Sequence, residues 1–170
     1  MVLYFAYGSN MAAPRLQARI GSTRVVCVAS LASHRLAFHK ISNGDGSGKC
    51  DAAYTGVASD RILGVVYSRA PSALTVLDRY EGRGMGYERR RVEVRSFVDD
   101  ALEAEIYVAT RVDPSLRPFD WYKEHVLRGA LAAKLPREYV AMIEAVAADR
   151  DPDAERRRRE LAVHASSPVT

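Results

Sequence analysis

The sequence predicts an α+β fold: a mostly antiparallel sheet, able to close into a small barrel, with helices packed around it. Three observations carry this. The first two-thirds of the chain breaks into short β-rich runs separated by turn residues. Helical periodicity appears in only a few places, each opened by a proline. No internal repeat and no linker-like stretch divides the chain. At 170 residues it suits one domain with a substantial core, expected over residues 1–148, followed by a charged tail over 149–170.

Residues 2–7 form an apolar run that stops at Gly8, as a buried strand feeding a turn would. Residues 24–31 and 35–39 are further strands, and 43–48 is a loop rich in Gly, Asn and Asp. Residues 53–58 and 62–67 look like two strands of a hairpin turning at Asp60-Arg61. Residues 87–98 make a longer strand. Leu102, Ala104, Ile106 and Val108 alternate with polar neighbours as a half-buried strand does, with Asp99-Asp100 as the turn between. Met11-Ala12-Ala13 can open a helix. Pro71 opens a short helix that Gly82 stops. Pro118 opens another, with Phe119, Tyr122, Val126, Leu127, Ala130 and Leu131 on one face. Pro136 opens a third, with Tyr139, Val140, Ile143 and Val146 inward. Beyond Asp149 the apolar period fades, and the tail reads as a frayed or disordered helix.

Charge and composition exclude several classes. The net charge is +4 and the pI about 9.2, but the excess lies in two runs, Arg89 to Arg91 and Arg156 to Arg159. Neither is interleaved with aromatic residues as a single-strand binder requires, so no nucleic-acid partner is expected. Attraction of small anions is the milder consequence. The longest apolar stretches are far short of the ~20 residues that span a bilayer, so no membrane partner is expected. Cys27 and Cys50 lack metal spacing, and a reduced, cytoplasmic setting is the default. His34 and His39 would face opposite sides of one strand, and His125 and His164 have no partners nearby in sequence. No metal site is expected.

Two segments carry chemistry. Tyr7-Gly8-Ser9-Asn10 takes a strand into a glycine and two small polar residues. Such a turn can aim several N–H groups one way, as an anion or oxyanion cradle, with Gly8 admitting close approach. It is equally a plain turn with Asn10 as a helix cap. In Leu77-Asp78-Arg79-Tyr80-Glu81-Gly82, Glu81 ends a helix, where the negative end of the dipole disfavours a carboxylate, which suits a group that must accept and return a proton. Asp78, Glu88 and Glu93 are candidates on equal terms from composition alone. Gly82, Gly84 and Gly86, followed by Tyr87, mark a tightly turned loop that could wall a pocket.

Taken together, these segments resemble the γ-glutamyl cyclotransferase family. Tyr4-Phe5-Ala6-Tyr7-Gly8-Ser9-Asn10-Met11 is similar to its opening strand and substrate loop. Leu77 to Gly82, with Tyr87, is similar to its catalytic segment, in which the Glu directly before the Gly is the acid/base, so the role falls on Glu81. Gly64-Val65-Val66-Tyr67 and Leu135-Pro136-Arg137-Glu138-Tyr139 are similar to flanking segments, and Tyr122 sits where a site-lining tyrosine is common. Residues 49–54 match poorly. The Gly-Ser-Asn form resembles the γ-glutamyl-amino-acid branch. The resemblance implies a small β-barrel and no metal or cofactor. It implies a small γ-glutamyl substrate, bound by Tyr7, Gly8, Ser9, Asn10, Tyr87 and Tyr122, whose own α-amine attacks its γ-carbonyl to release 5-oxoproline and an amine. Assembly stays open between monomer and homodimer. Alternatives are a cyclotransferase for a γ-glutamylamine, a γ-glutamyl-protected biosynthetic intermediate or glutathione, or a non-catalytic binder of the same fold.

Overall fold

A computed structural model describes residues 1–165. Its strands are β1 (Val2–Ala6), β2 (Arg24–Ala32), β3 (His34–Ile41), β4 (Gly48–Tyr54), β5 (Arg61–Arg69), β6 (Tyr87–Ser96) and β7 (Ala101–Ala109). Its helices are α1 (Ala13–Ile20), α2 (Pro71–Glu81), α3 (Asp120–Ala132), α4 (Arg137–Glu144) and α5 (Ala154–Leu161). A 3₁₀ turn, Ser9–Met11, joins β1 to α1.

Five strands close a barrel in the order β1-β5-β2-β6-β7, and β3 and β4 form a separate two-stranded sheet. All barrel pairings are antiparallel except the closing one, where Tyr4 of β1 faces Glu105 of β7 in parallel. β5 sits between β1 and β2, and Ile62 through Tyr67 are buried without a break. That continuous apolar run is what a strand covered on both faces needs. β6 and β7 pair from Tyr87↔Ala109 to Arg95↔Ala101, and Asp99 makes their turn at φ +68°.

Helix ends follow local chemistry. Pro71 occupies the first turn of α2, and Gly82 closes the helix in the left-handed region at φ +58°. On α3, Gly129 has no space for a side chain, because a Cβ there would lie 2.6 Å from the Ala12 nitrogen. The helix therefore rests directly on the chain that follows the Ser9 turn.

Several expectations are corrected. The hairpin at Asp60-Arg61 does not form: β4 pairs with β3, whereas β5 pairs with β1 and β2. The chain after Tyr54 leaves its sheet, and Thr55 and Asp60 bind the Ser33 turn through backbone hydrogen bonds. Leu131, expected inward, is exposed. Residues 149–165 are not frayed. The backbone of Asp149 brackets Pro118 and Asp120, Asp151 receives the Trp121 indole N–H at 2.7 Å and Arg156 through two contacts, and Arg157 pairs with Asp120. α5 is anchored by ions rather than by an apolar face, so it lacks the periodicity that marks a docked helix. The other basic run is also engaged within the fold: Arg89 meets Asp78 and Glu105, and Arg91 meets Glu103 and Glu105.

Candidate active site

The pocket lies where β1 ends. Tyr4, Tyr7, Gly8, Ser9, Asn10, Cys50, Glu81, Tyr87, Tyr107 and Tyr122 line its narrow inner part. Thus all seven residues singled out from the sequence share one cavity. Of the four carboxylates weighed, Glu81 alone lines it. Asp78 is taken up by Tyr107, Arg83 and Arg89, Glu93 is exposed against Arg95, and Glu88 faces Val108 across β6 and β7.

Glu81 is positioned from two sides. The Asn10 amide donates to its Oε1 at 2.9 Å and to the Tyr4 hydroxyl at 2.9 Å. Arg19 Nη1 lies 3.0 Å from the same Oε1 and 3.0 Å from Asn10 Oδ1. Asn10 is therefore not a helix cap, since its side chain is spent on the carboxylate. α2 supplies Glu81 at its last residue, the 3₁₀ turn supplies Asn10, and α1 supplies Arg19.

The loop itself departs from one expectation. Gly8 has φ −112°, which any L-residue adopts. Glycine is required instead by contact: a Cβ would stand 2.8 Å from the Cys50 Cβ and 3.6 Å from the Tyr122 hydroxyl. The N–H groups of Gly8, Ser9 and Asn10 find no acceptor among the described residues. The Ser9 hydroxyl accepts from Arg15 Nε at 3.2 Å.

The wall is tyrosine-rich and hydrogen-bonded. Tyr7 donates to the Tyr107 carbonyl at 2.5 Å, Tyr87 to the Cys50 carbonyl at 2.6 Å, and the Cys50 N–H to the Tyr122 hydroxyl at 3.0 Å. Burial pushes the Tyr7, Tyr87 and Tyr122 hydroxyls well above the ordinary tyrosine range, so they stay protonated. Burial likewise pushes the Cys50 thiol up, which suits a packing residue rather than a nucleophile. Among the described residues no cluster of His, Cys, Asp or Glu has the arrangement of a metal site.

Ser9, Glu81, Tyr87 and Tyr122 also border a wider outer bay of about 380 Å³, with Arg15, Arg19, Lys40, Lys49 and Arg79 around it. None of these five cations, nor Tyr4, Cys50 or Tyr107, was singled out as a site residue from the sequence. Arg15 and Arg19 carried a usable signal, since their four-residue spacing puts both on the α1 face nearest the loop. Cys50 falls in the segment that the resemblance matches least.

The sequence pattern of the AIG2-like family matches residues 61–143. Over 152 residues the chain is 32% identical to the human γ-glutamylcyclotransferase, an alignment covering 85% of this chain and 78% of that protein. A solved γ-glutamyl cyclotransferase structure superposes with a TM-score of 0.84 at 27% identity, over 97% of this chain and 99% of that one. A human protein described as uncharacterized superposes at 0.83 and 27%, over 95% and 98% of the two chains. On this extent of shared sequence, joined to the shared fold, the chain belongs to the γ-glutamylcyclotransferase family.

Proposed function

We propose that this protein is a γ-glutamyl cyclotransferase in which Glu81 is the general acid/base. The observation that carries the assignment is a single carboxylate, fixed by Asn10 and Arg19, in a pocket otherwise lined by neutral groups.

The reaction needs no nucleophile from the protein, because the substrate carries its own. With the γ-glutamyl chain folded back, its α-amine lies near its γ-carbonyl, and confinement converts that proximity into rate. Glu81 takes a proton from the α-ammonium. The freed amine attacks, the new carbon–nitrogen bond closes a five-membered ring, and negative charge collects on the carbonyl oxygen. Glu81 then returns the proton to the departing nitrogen as the original amide bond breaks, and the ring nitrogen gives up its remaining extra proton, which the released amine takes up. The products are 5-oxoproline and a free amine, and no water is consumed.

The unpaired N–H groups of Gly8, Ser9 and Asn10 suit either the glutamyl carboxylate or the developing oxyanion. Tyr7, Tyr87 and Tyr122 give the substrate's aliphatic stem a wall of aromatic rings, with the Tyr7 and Tyr87 hydroxyls committed to the Tyr107 and Cys50 carbonyls. The γ-glutamyl-amino-acid branch is the reading we adopt over γ-glutamylamines, on the form of the Gly8 loop. A cytoplasmic setting is proposed on the two free cysteines. No described helix is long and apolar enough to cross a membrane.

The test is a panel of γ-glutamyl compounds scored for 5-oxoproline. Release from γ-glutamyl-amino acids supports the assignment. A folded protein that binds them without turnover would make it a binder of the same fold.

A further inference from the structure

Lys40 lies beside the proposed site without an assigned part in it. Its residue is 6% exposed, yet its ammonium has no carboxylate partner among the described residues. The two acids whose charges reach it are already engaged, Glu81 by Arg19 and Asp45 by Lys49. Burial lowers the Lys40 pKa, with Glu81 and Asp45 pulling the other way.

The strand pairing makes the placement costly. Lys40 of β3 stands directly opposite Lys49 of β4, and like charges across an antiparallel pair are destabilising. A register irregularity precedes Lys40 on its own strand, the sort of feature that re-aims a side chain. Its Nζ stands over the Tyr87 ring, 4.8 Å from the centroid. It also abuts the loop after Glu81: a Cβ on Gly86 would lie 3.2 Å from that Nζ and 2.7 Å from the Glu81 carbonyl oxygen. Lys49 is satisfied by Asp45 and Ser47. Arg79, exposed on the same bay, also lacks a carboxylate partner among the described residues.

An unpaired, nearly buried cation at the rim of a reacting carboxylate is explained by an anion that arrives with the substrate. The glutamyl end belongs to the inner pocket, next to Gly8, Ser9 and Asn10. Lys40 borders only the outer bay, where whatever is attached to the γ-carbonyl must lie. We infer that Lys40 binds a carboxylate on the leaving amine, and so selects γ-glutamyl-amino acids and peptides against γ-glutamylamines that lack an acid. The inference rests on the cyclotransferase reading and names the substrate group that the outer bay recognises.

The test compares kcat/KM for γ-glutamyl-alanine and γ-glutamyl-alaninamide, in wild type and in Lys40→Met. The intrinsic difference between the two leaving amines cancels between the proteins. The acid-over-amide ratio should fall by about 10- to 100-fold in the variant, the worth of one charge-assisted hydrogen bond. Lys40→Gln, which keeps a donor without the charge, should behave like Met and covers the case in which Met disturbs the packing on Tyr87. Lys40→Arg should recover most of the ratio. An unchanged ratio in Met and Gln would overturn the inference while leaving the cyclotransferase intact. A wild type that releases no 5-oxoproline from either compound would overturn both.

Discussion

Arg19 and Glu81 come from different helices, α1 and α2, and meet at 3.0 Å. Arg19 reaches Asn10 Oδ1 with the same nitrogen and rests over the Tyr80 ring, 5.2 Å from its centroid. The proposed acid/base is thus held by a guanidinium and an amide on one oxygen, Oε1, and no described group donates to Oε2. An oxygen left free beside two fixed contacts is the one available to a substrate proton.

Glu81→Gln should abolish cyclotransferase activity and leave a folded protein. Gln keeps the size and one acceptor but cannot carry the proton, a loss worth ~10²–10⁴ in rate. Turnover above about a tenth of wild type in a 5-oxoproline assay would show that another group is the base.

Arg19→Met should act on kcat rather than on KM. Without the guanidinium the carboxylate keeps only Asn10, and small misplacement is costly in a proximity-driven reaction, on the order of 10-fold to 10²-fold. Steady-state kinetics on γ-glutamyl-alanine decide it. A raised KM at unchanged kcat would place Arg19 on the substrate instead of on Glu81.

Gly8→Ala should reduce kcat/KM by roughly 10²-fold and lower Tm modestly. The backbone at φ −112° accepts alanine, so the damage comes from the contact with Cys50. The nearest atom is the Cys50 Cβ, which alanine would retain, so adding Cys50→Ala should rescue neither activity nor Tm. Rescue by that second change would locate the conflict at Sγ.

The legible parts of the molecule are those with local signatures. Pro71 and Gly82 bound α2 because both act through their own backbone geometry. Asp99 turns the β6–β7 hairpin for a similar reason. β4 pairs with β3 and not with β5, and nothing near Asp60 in the sequence says which sheet its neighbours join. Barrel closure rests on Tyr4 facing Glu105, a pairing across the whole domain. In the site, the Gly8 loop and Glu81 stand in segments with recognisable order. Arg19 is marked only by its four-residue spacing from Arg15, Lys40 is a single basic residue on a strand, and the tertiary fold alone brings both to Glu81. α5 is illegible for an energetic reason, since its docking is ionic and leaves no apolar period.

That ionic docking gives the fold a pH dependence. Arg15 Nη1 lies 2.9 Å from His125 Nε2 and 2.6 Å from Glu160 Oε2. Arginine only donates, so Nε2 is an acceptor and the His125 proton sits on Nδ1, directed at His164 Nε2, 2.7 Å away. His125 is fully buried, and burial, with the nearby Arg15 charge, brings its pKa down to about 4 although Glu160 opposes the shift. The folded state therefore favours neutral His125, whereas the unfolded chain protonates near the ordinary value of about 6.5. Stability from this group is complete above about 6.5 and is lost as pH falls towards 4, amounting to ~3 kcal/mol across that window. For a chain of this size that is roughly 6–12 °C in Tm. Glu160, held well below the ordinary carboxylate range by the Arg15 guanidinium against burial, adds a further loss below its ordinary range. Glu160→Gln leaves the Arg15 charge without its carboxylate and should cost about 2–3 kcal/mol at pH 7, less than a fully buried pair because Glu160 is partly exposed. Thermal melts from pH 7.5 to 4 on wild type and His125→Asn separate the causes. The variant starts lower, and its melting curve should be flatter between pH 6.5 and 4. A wild type whose Tm is constant over that interval would mean that His125 takes up its proton within the fold, and the network around Arg15 would then be something other than the lock on α5.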